Sequence, residues 1–162
     1  MEKAMLIFGG TQFYNEVYSN GVYTVSKKKA ARKIMQKYEV DNFSNSKLTT
    51  RSVLKFIDVF ANHRSYSYCI LALGEADLAA GITPYEFEKN MKEILNNLKS
   101  YNITPIIVGL PVKALKRFNA KEYQSVIEEV QESLTISDEP IYIVDSLVSD
   151  SEMKKTLTKL CS

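Results

Sequence analysis

The stretch Tyr68-Cys69-Ile70-Leu71-Ala72-Leu73, followed by Gly74, decides the fold of this chain. Its six residues are continuously apolar, with no alternation of polar and apolar side chains. This pattern predicts a strand that is covered on both faces, as in the centre of a parallel sheet. The glycine then marks the point where the strand ends and a loop begins.

Segments on either side of this strand repeat the alternation of short apolar runs and longer amphipathic ones. Further strands are predicted at Ala4–Phe8, Val40–Phe43, Ile103–Gly109 and Ile141–Val144. Helices are predicted at Ser26–Tyr38, at Leu48–Asn62, from Thr83, from Asn119 to Leu134 and after Ser149 or Asp150. Five strands alternating with helices indicate a three-layer α/β sandwich with a parallel sheet and right-handed crossovers.

The order of the strands follows from the length of the second one. Its shortness predicts an edge strand and therefore the flavodoxin-like order 2-1-3-4-5 within a single domain, residues 1–162. In this order the topological switch point lies between strands one and three, and ligands bind beyond the carboxyl ends of strands at such points. The loops Gly9–Tyr14 and Gly74–Asp77 are therefore the candidate site.

Composition excludes several classes of function. The 162 residues carry 21 Lys+Arg against 19 Asp+Glu, a net charge of +2, which by itself predicts neither a nucleic-acid nor a membrane partner. Two distant cysteines, Cys69 and Cys161, and one histidine predict no disulfide framework, no metal site and no cofactor. The N-terminal apolar run is too short for a signal peptide, and no membrane span is predicted, so we expect a cytoplasmic protein.

Four segments, taken in order, resemble the blocks of the SGNH (GDSL) hydrolase family, whose fold is this same sandwich. They are Ile7-Phe8-Gly9-Gly10-Thr11, Asn42 to Thr50 (Asn-Phe-Ser-Asn-Ser-Lys-Leu-Thr-Thr), Leu73-Gly74-Glu75-Ala76-Asp77-Leu78, and Ile106-Ile107-Val108-Gly109-Leu110-Pro111. The resemblance spans nearly the whole chain, although no single block is intact. It implies an esterase or acylhydrolase ancestry.

Position by position, the resemblance also implies that the catalytic groups have been replaced. Thr11 stands where the family has its nucleophilic serine, and Lys47 where a glycine supplies an oxyanion-hole N–H. Ala76 stands where an asparagine donates its side chain to the oxyanion, and Met153 where a histidine acts as the base. Since each lost oxyanion donor costs roughly 10²–10³ in rate, efficient hydrolysis by the family mechanism is not expected.

The single histidine does not substitute for the missing base. His63 precedes the central strand whereas Gly74 follows it. That strand rises about 3.3 Å per residue, so its two ends are roughly 20 Å apart. His63 is therefore predicted at the end of the sheet opposite to Thr11.

The leading prediction is a non-catalytic domain that binds a small acyl- or carbohydrate-type ligand or a protein partner. The predicted binding residues are Gly9, Gly10, Asn45, Gly74, Glu75, Ala76, Asp77 and Met153. A first alternative is an active esterase whose rebuilt site uses Thr11 as nucleophile and Lys47 as base. A second is a nucleotide-binding protein similar to the small nucleotidyltransferases, because Phe8-Gly9-Gly10-Thr11 also opens their signature.

Several of these residues have structural interpretations that compete with the functional ones. Gly9 and Gly10 are explained by a tight turn, Lys47 by a solvated surface position, and Asp77 by a cap of the turn after the third strand. Three tyrosines after the first loop, Tyr14, Tyr18 and Tyr23, line a cleft or pack against the core. The basic run Lys27–Lys33 is predicted to be the solvated face of a helix, and the alternative is a contact with an acidic or nucleic-acid partner.

Overall fold

The structure is a computed structural model that describes residues 4–10, 13–19, 22–27, 38–110, 112–135 and 142–144. Numbered in chain order, its strands are β1 (Ala4–Gly9), β2 (Tyr14–Ser19), β3 (Val22–Lys27), β4 (Glu39–Asn42), β5 (Tyr66–Ala72), β6 (Thr104–Val108) and β7 (Tyr142–Val144). The helices are α1 (Thr50–Ala61), α2 (Glu75–Ala80), α3 (Pro84–Ser100) and α4 (Ala120–Thr135), with a 3-10 helix at Val112–Lys116.

Five strands form one parallel sheet in the order β4-β1-β5-β6-β7. Counted along the chain within this sheet, that order is 2-1-3-4-5, so the predicted flavodoxin-like topology is confirmed. The edge position of the short second strand is also confirmed. Its bounds lie one residue earlier than predicted, because Phe43 follows the strand and donates its N–H to the Ile7 carbonyl at 2.9 Å.

Both faces of the sheet are buried, as the continuous apolar run of β5 predicts. On one face, Leu6, Phe8, Cys69 and Leu71 pack with apolar side chains of α1, α3 and α4, among them Val53, Ile57, Phe87, Met91, Tyr123 and Ile127. On the other face, Met5, Ile7, Ile70 and Ile106 form a second buried cluster with Phe13 and Tyr38. The sheet is thus the middle layer of the domain, and its carboxyl edge carries the loops that connect to the helices.

The start of α3 agrees with its predicted capping signals. The Thr83 hydroxyl oxygen accepts the N–H of Glu86 at 3.2 Å, and Pro84 is the first helical residue. A side-chain oxygen at this position satisfies one of the donors that a helix start leaves without a partner. The helix therefore begins at the residue that the sequence indicates.

The segment after the first loop differs from the prediction. Strands β2 and β3 pair antiparallel as a separate two-stranded sheet, with Ser19 opposite Val22. The predicted helix Ser26–Tyr38 is therefore wrong at its start, since Ser26 and Lys27 belong to β3. Residues 28–37 and the predicted C-terminal helix lie outside the described residues.

No helix in the described part of the chain has the length and apolar character that crossing a membrane requires.

Candidate functional site

Three loops at the carboxyl edge of the sheet form the candidate site, and we call them the edge loops. They are Gly10 and Phe13 after β1 (residues 11 and 12 lie outside the described residues), residues 43–49 after β4 and residues 73–74 after β5. The first two loops are joined by the N–H of Asn45, which donates to the Gly9 carbonyl at 3.1 Å. Because β1 lies between β4 and β5, the sheet brings the three loops together at its switch point.

The glycine at the end of β1, Gly9, has a structural explanation. The N–H of Phe13 donates to the Gly10 carbonyl at 3.1 Å, which closes a tight turn. A Cβ on Gly9 would lie 2.9 Å from Cδ2 of Phe13, 3.1 Å from Oγ of Ser44 and 3.3 Å from Cβ of Ala72. A side chain at residue 9 would therefore collide with the protein itself, so close packing requires the glycine there.

The second loop turns on Asn45. The Asn45 side-chain oxygen accepts the N–H of Lys47 at 2.8 Å, and its carbonyl accepts the N–H of Leu48 at 3.4 Å. A side-chain oxygen that accepts the N–H two residues further on is a standard way for asparagine to stabilise a turn. The single backbone donor of Lys47 is thereby engaged within the turn, while the Lys47 side chain is exposed.

The third loop leads directly into the short helix α2. Gly74 precedes it with φ +121°, and the next residues are a half-buried Glu75, a buried Ala76 and a buried Asp77. The methyl group of Ala76 offers no hydrogen-bond donor. The loop thus places a carboxylate, and no side-chain amide, at its entry into the helix.

Asp77 reaches across the fold to the start of α1. Its carboxylate accepts the N–H of Thr50 at 3.0 Å and the Thr50 hydroxyl at 2.6 Å, and the Asn90 amide donates to that hydroxyl oxygen at 2.9 Å. Thr50 is the first residue of α1, while Thr49 caps the N–H of Ser52. Asp77 therefore acts as a cap, but it caps the start of α1 and not, as the sequence predicts, the turn after the third strand.

Burial affects the ionisation of Asp77. The residue has no exposed surface, and this desolvation raises the pKa of its carboxyl group above the ordinary value. The hydrogen bonds from the Thr50 hydroxyl and from backbone N–H groups, which favour the charged form, act in the opposite direction. Asp77 accordingly belongs to a buried polar network, in which it is hydrogen-bonded to Thr50 and Thr50 to Asn90, and it does not face the solvent.

Two predicted site residues are not described by the structure. Thr11 and Met153 lie outside the described residues, so their predicted roles stay predictions. His63 is exposed and lies between α1 and β5, at the amino edge of the sheet, as predicted. In the part of the chain that the structure describes, no group of three or more His, Cys, Asp or Glu side chains could hold a metal ion.

Sequence reasoning missed three contributors to the site. Thr50 and Asn90 enter through contacts with residues 27 and 40 positions away in the chain, and no local pattern signals such a contact. Ser44 is buried, and its hydroxyl oxygen has no hydrogen-bond partner among the described residues. Its position next to Gly9 follows from the pairing of β4 with β1, which the predicted sheet order does contain.

Comparison with known proteins supports the fold and not the sequence family. No protein-family model matches the chain, and no curated protein matches it in sequence. Solved structures do match. A G-D-S-L family protein from Desulfitobacterium hafniense DCB-2 has a TM-score of 0.73 at 12% identity, over 98% of this chain and 99% of that one.

Two esterases give the same result. The psychrotrophic esterase EstA from Pseudoalteromonas sp. has a TM-score of 0.66 at 11% identity, over 99% of this chain and 97% of its own. The SGNH-hydrolase family esterase AlinE4 has a TM-score of 0.64 at 20% identity, over 89% of this chain and 76% of its own. The chain has the SGNH-hydrolase fold, which confirms the resemblance drawn from its sequence at the level of fold.

Proposed function

We propose that this domain is a degenerate SGNH hydrolase that binds a small acyl- or carbohydrate-type ligand, or a protein partner, and does not hydrolyse esters. The hydrogen bond from the Lys47 N–H to the Asn45 side chain, 2.8 Å long, is the observation that carries the proposal. In the family that the chain resembles, the N–H at this position stabilises the oxyanion. A backbone N–H has one proton to donate, and here that proton is used within the turn.

The second oxyanion donor is missing as well. Ala76 occupies the position of the family's asparagine and contributes only a methyl group. Removing one such donor typically lowers the rate by about 10²–10³, so the loss of two leaves little of the electrostatic stabilisation that acyl transfer needs. The fold of an esterase is thus retained around a site without its oxyanion hole.

The competing proposal of an active Thr11–Lys47 pair has less support. A lysine serves as a general base when burial strips water from its ammonium group, and the Lys47 side chain is exposed. Among the described residues of the edge loops, no contact supports Lys47 as a catalytic base over Lys47 as a solvated surface residue. The nucleotide-binding alternative likewise gains no observation from the described residues.

Hydrolysis of p-nitrophenyl acetate and butyrate tests the proposal directly. We expect the wild-type protein and Thr11→Ala to release nitrophenol at the same rate as a solution without protein. An alkylphosphonate ester that labels nucleophilic hydroxyls should add no mass to the intact chain. A rate well above background that disappears in Thr11→Ala, or a covalent phosphonate adduct on Thr11, would overturn the proposal.

A melting experiment tests the nucleotide-binding alternative. Millimolar Mg-ATP or Mg-CTP should leave the melting temperature unchanged if the nucleotide-binding alternative is wrong. A clear increase would favour that alternative, because a ligand that binds only the folded state stabilises it by mass action.

A further inference from the structure

The turn between the 3-10 helix and α4 presents an apolar side chain to solvent. Phe118 is 89% exposed. The N–H of Ala120 donates to the Arg117 carbonyl at 3.2 Å, so Phe118 and Asn119 are the two central residues of a hydrogen-bonded turn. Asn119 has φ +66°, which matches the positive φ that a type II turn requires at its third residue and that asparagine tolerates. The turn holds the Phe118 ring at an outer corner of the molecule.

The support beneath this turn is part of the core. Ala114 and Ala120 are each 1% exposed, and Tyr123 is fully buried. The ring of Tyr123 stacks on that of Phe87 with centroids 4.5 Å apart. A buried anchor on both sides of the turn means that the backbone fixes the outward position of Phe118, at the expense of roughly 150–250 Å² of aromatic surface left unburied.

Cationic residues flank the exposed ring in the sequence. Lys116 and Arg117 precede it, Lys121 follows it three residues later, and all three side chains are exposed. None of them forms an ion pair with a described residue. Glu122 is the one acidic residue next to them in the sequence. We call the group Lys116, Arg117, Phe118 and Lys121 the basic tip.

We propose that the basic tip docks on the surface of an anionic lipid bilayer. A single ring on a convex corner can enter the interface between headgroups and acyl chains, while flanking cations lie at the level of the lipid phosphates. A protein partner would need a pocket shaped for the ring, whereas a fluid bilayer needs none. The small net charge and the lack of a membrane-spanning segment predict no membrane partner. Local docking on a bilayer surface, however, needs neither a large net charge nor a spanning segment.

The position of the basic tip relates it to the candidate site. The tip lies in the connection that leaves the carboxyl end of β6, next to β5 in the sheet. Leu110, in the same connection, lies against Gly74, since a Cβ there would be 2.9 Å from its Cδ2. Docking through the tip would therefore orient the edge of the sheet that carries the edge loops toward the lipid.

Co-sedimentation with lipid vesicles tests the proposal. The full chain is mixed with vesicles of phosphatidylcholine alone, or of phosphatidylcholine with phosphatidylglycerol, at low salt and at 0.15 M salt. We expect binding to the anionic vesicles alone, weaker at the higher salt because the cations are exposed. Phe118→Ser should weaken binding about tenfold. Lys116→Gln with Arg117→Gln should weaken it by more than tenfold, at about fivefold per cation.

Matched control variants exist elsewhere on the surface. Tyr85→Ser removes another exposed aromatic ring (78% exposed), and Lys55→Gln with Lys89→Gln removes two exposed charges from helices α1 and α3. These controls should bind like the wild type, and all variants should keep the wild-type melting temperature. The proposal is wrong if the wild type does not sediment with anionic vesicles, or if tip and control variants weaken binding equally. It is also wrong if a polyglutamate peptide or an oligonucleotide, and not the vesicle, is bound through the tip.

Discussion

At the scale of single residues, two glycines with positive φ differ in what surrounds them. Gly74 has φ +121°, and a Cβ there would lie 2.9 Å from Cδ2 of Leu110 and 3.3 Å from Cζ of Phe87. Gly81 has φ +75°, and a Cβ there would meet no atom within 4 Å. The first position therefore combines backbone strain with overpacking, while the second has backbone strain alone.

Alanine substitutions separate these two effects. We expect Gly74→Ala to lower the free energy of unfolding by about 3 kcal/mol, the sum of a left-handed backbone penalty and a core collision. Gly81→Ala should lower it by about 1 kcal/mol, for the backbone alone. Urea unfolding of the three proteins measures both values. Equal losses in the two variants would show that the contact of residue 74 with Leu110 is easily relieved.

Asp77 shows why single residues of the site were only partly predictable. Its sequence context, directly after Gly74-Glu75-Ala76, indicates a polar residue at a helix start and thus a cap. The group that it caps, the N–H of Thr50, is brought to it by the packing of α1 beside β5 and α3, across 27 residues of chain. Local sequence specifies that a cap is available, whereas tertiary packing selects its partner.

At the scale of elements, the hairpin of β2 and β3 is the largest difference from the sequence prediction. The pairing of Ser19 with Val22 leaves two residues between the strands, Asn20 and Gly21. Asn-Gly between two runs of β-formers is the strongest short-range signal for a hairpin. The sequence therefore contains a hairpin signal, but the helical spacing of Ala30, Ile34 and Tyr38 predicts a helix whose first residues, Ser26 and Lys27, lie in β3.

A substitution at the hairpin connection tests this element by itself. The Asn20-Gly21 sequence is typical of a type I′ connection, which needs positive φ at both central residues, and valine resists that conformation. Gly21→Val should therefore raise amide hydrogen exchange in residues 14–27 about tenfold and leave the exchange of β5 amides unchanged. Ser19→Val, a strand-favouring change at the neighbouring pair, is the control and should not raise exchange. Faster exchange in both sheets would contradict the independence of the hairpin.

At the scale of the whole molecule, the sheet order was predictable because burial dictates it. A strand such as β5, which is continuously apolar from Tyr68 to its end, has to be covered on both faces, and the alternation with helices then leaves few topologies. The residues and hydrogen bonds of the candidate site are less predictable, since they depend on which loops the sheet brings into contact. The hydrogen bond from the Asn45 N–H to the Gly9 carbonyl, for example, exists only because β4 pairs with β1.

Two carboxylates, Asp77 and Glu86, make the stability of the folded state depend on pH, and their pKa values are shifted in opposite directions. Burial raises the pKa of Asp77, while the bidentate pair with Arg51, at 2.6 and 2.8 Å, lowers the pKa of the half-buried Glu86. The Asn90 amide links the two carboxylates indirectly: it donates to Glu86 at 3.4 Å and to the Thr50 hydroxyl at 2.9 Å, and that hydroxyl in turn donates to Asp77. Removing each carboxylate separately distinguishes their contributions.

The sign for Asp77 follows from proton linkage. An unfolded aspartate titrates near pH 4, and a raised folded pKa means that the folded state binds more protons than the unfolded state between the two values. The free energy of unfolding of the wild type should therefore fall relative to Asp77→Asn as the pH rises from about 4 to 7. Glu86→Gln should show the reverse, because a lowered pKa contributes stability that is lost as the pH falls below about 4. Urea unfolding of the three proteins at pH 3, 4, 5, 6 and 7 measures both effects. If the wild type instead gains stability over Asp77→Asn as the pH rises, hydrogen bonding from Thr50 outweighs the burial of the carboxylate.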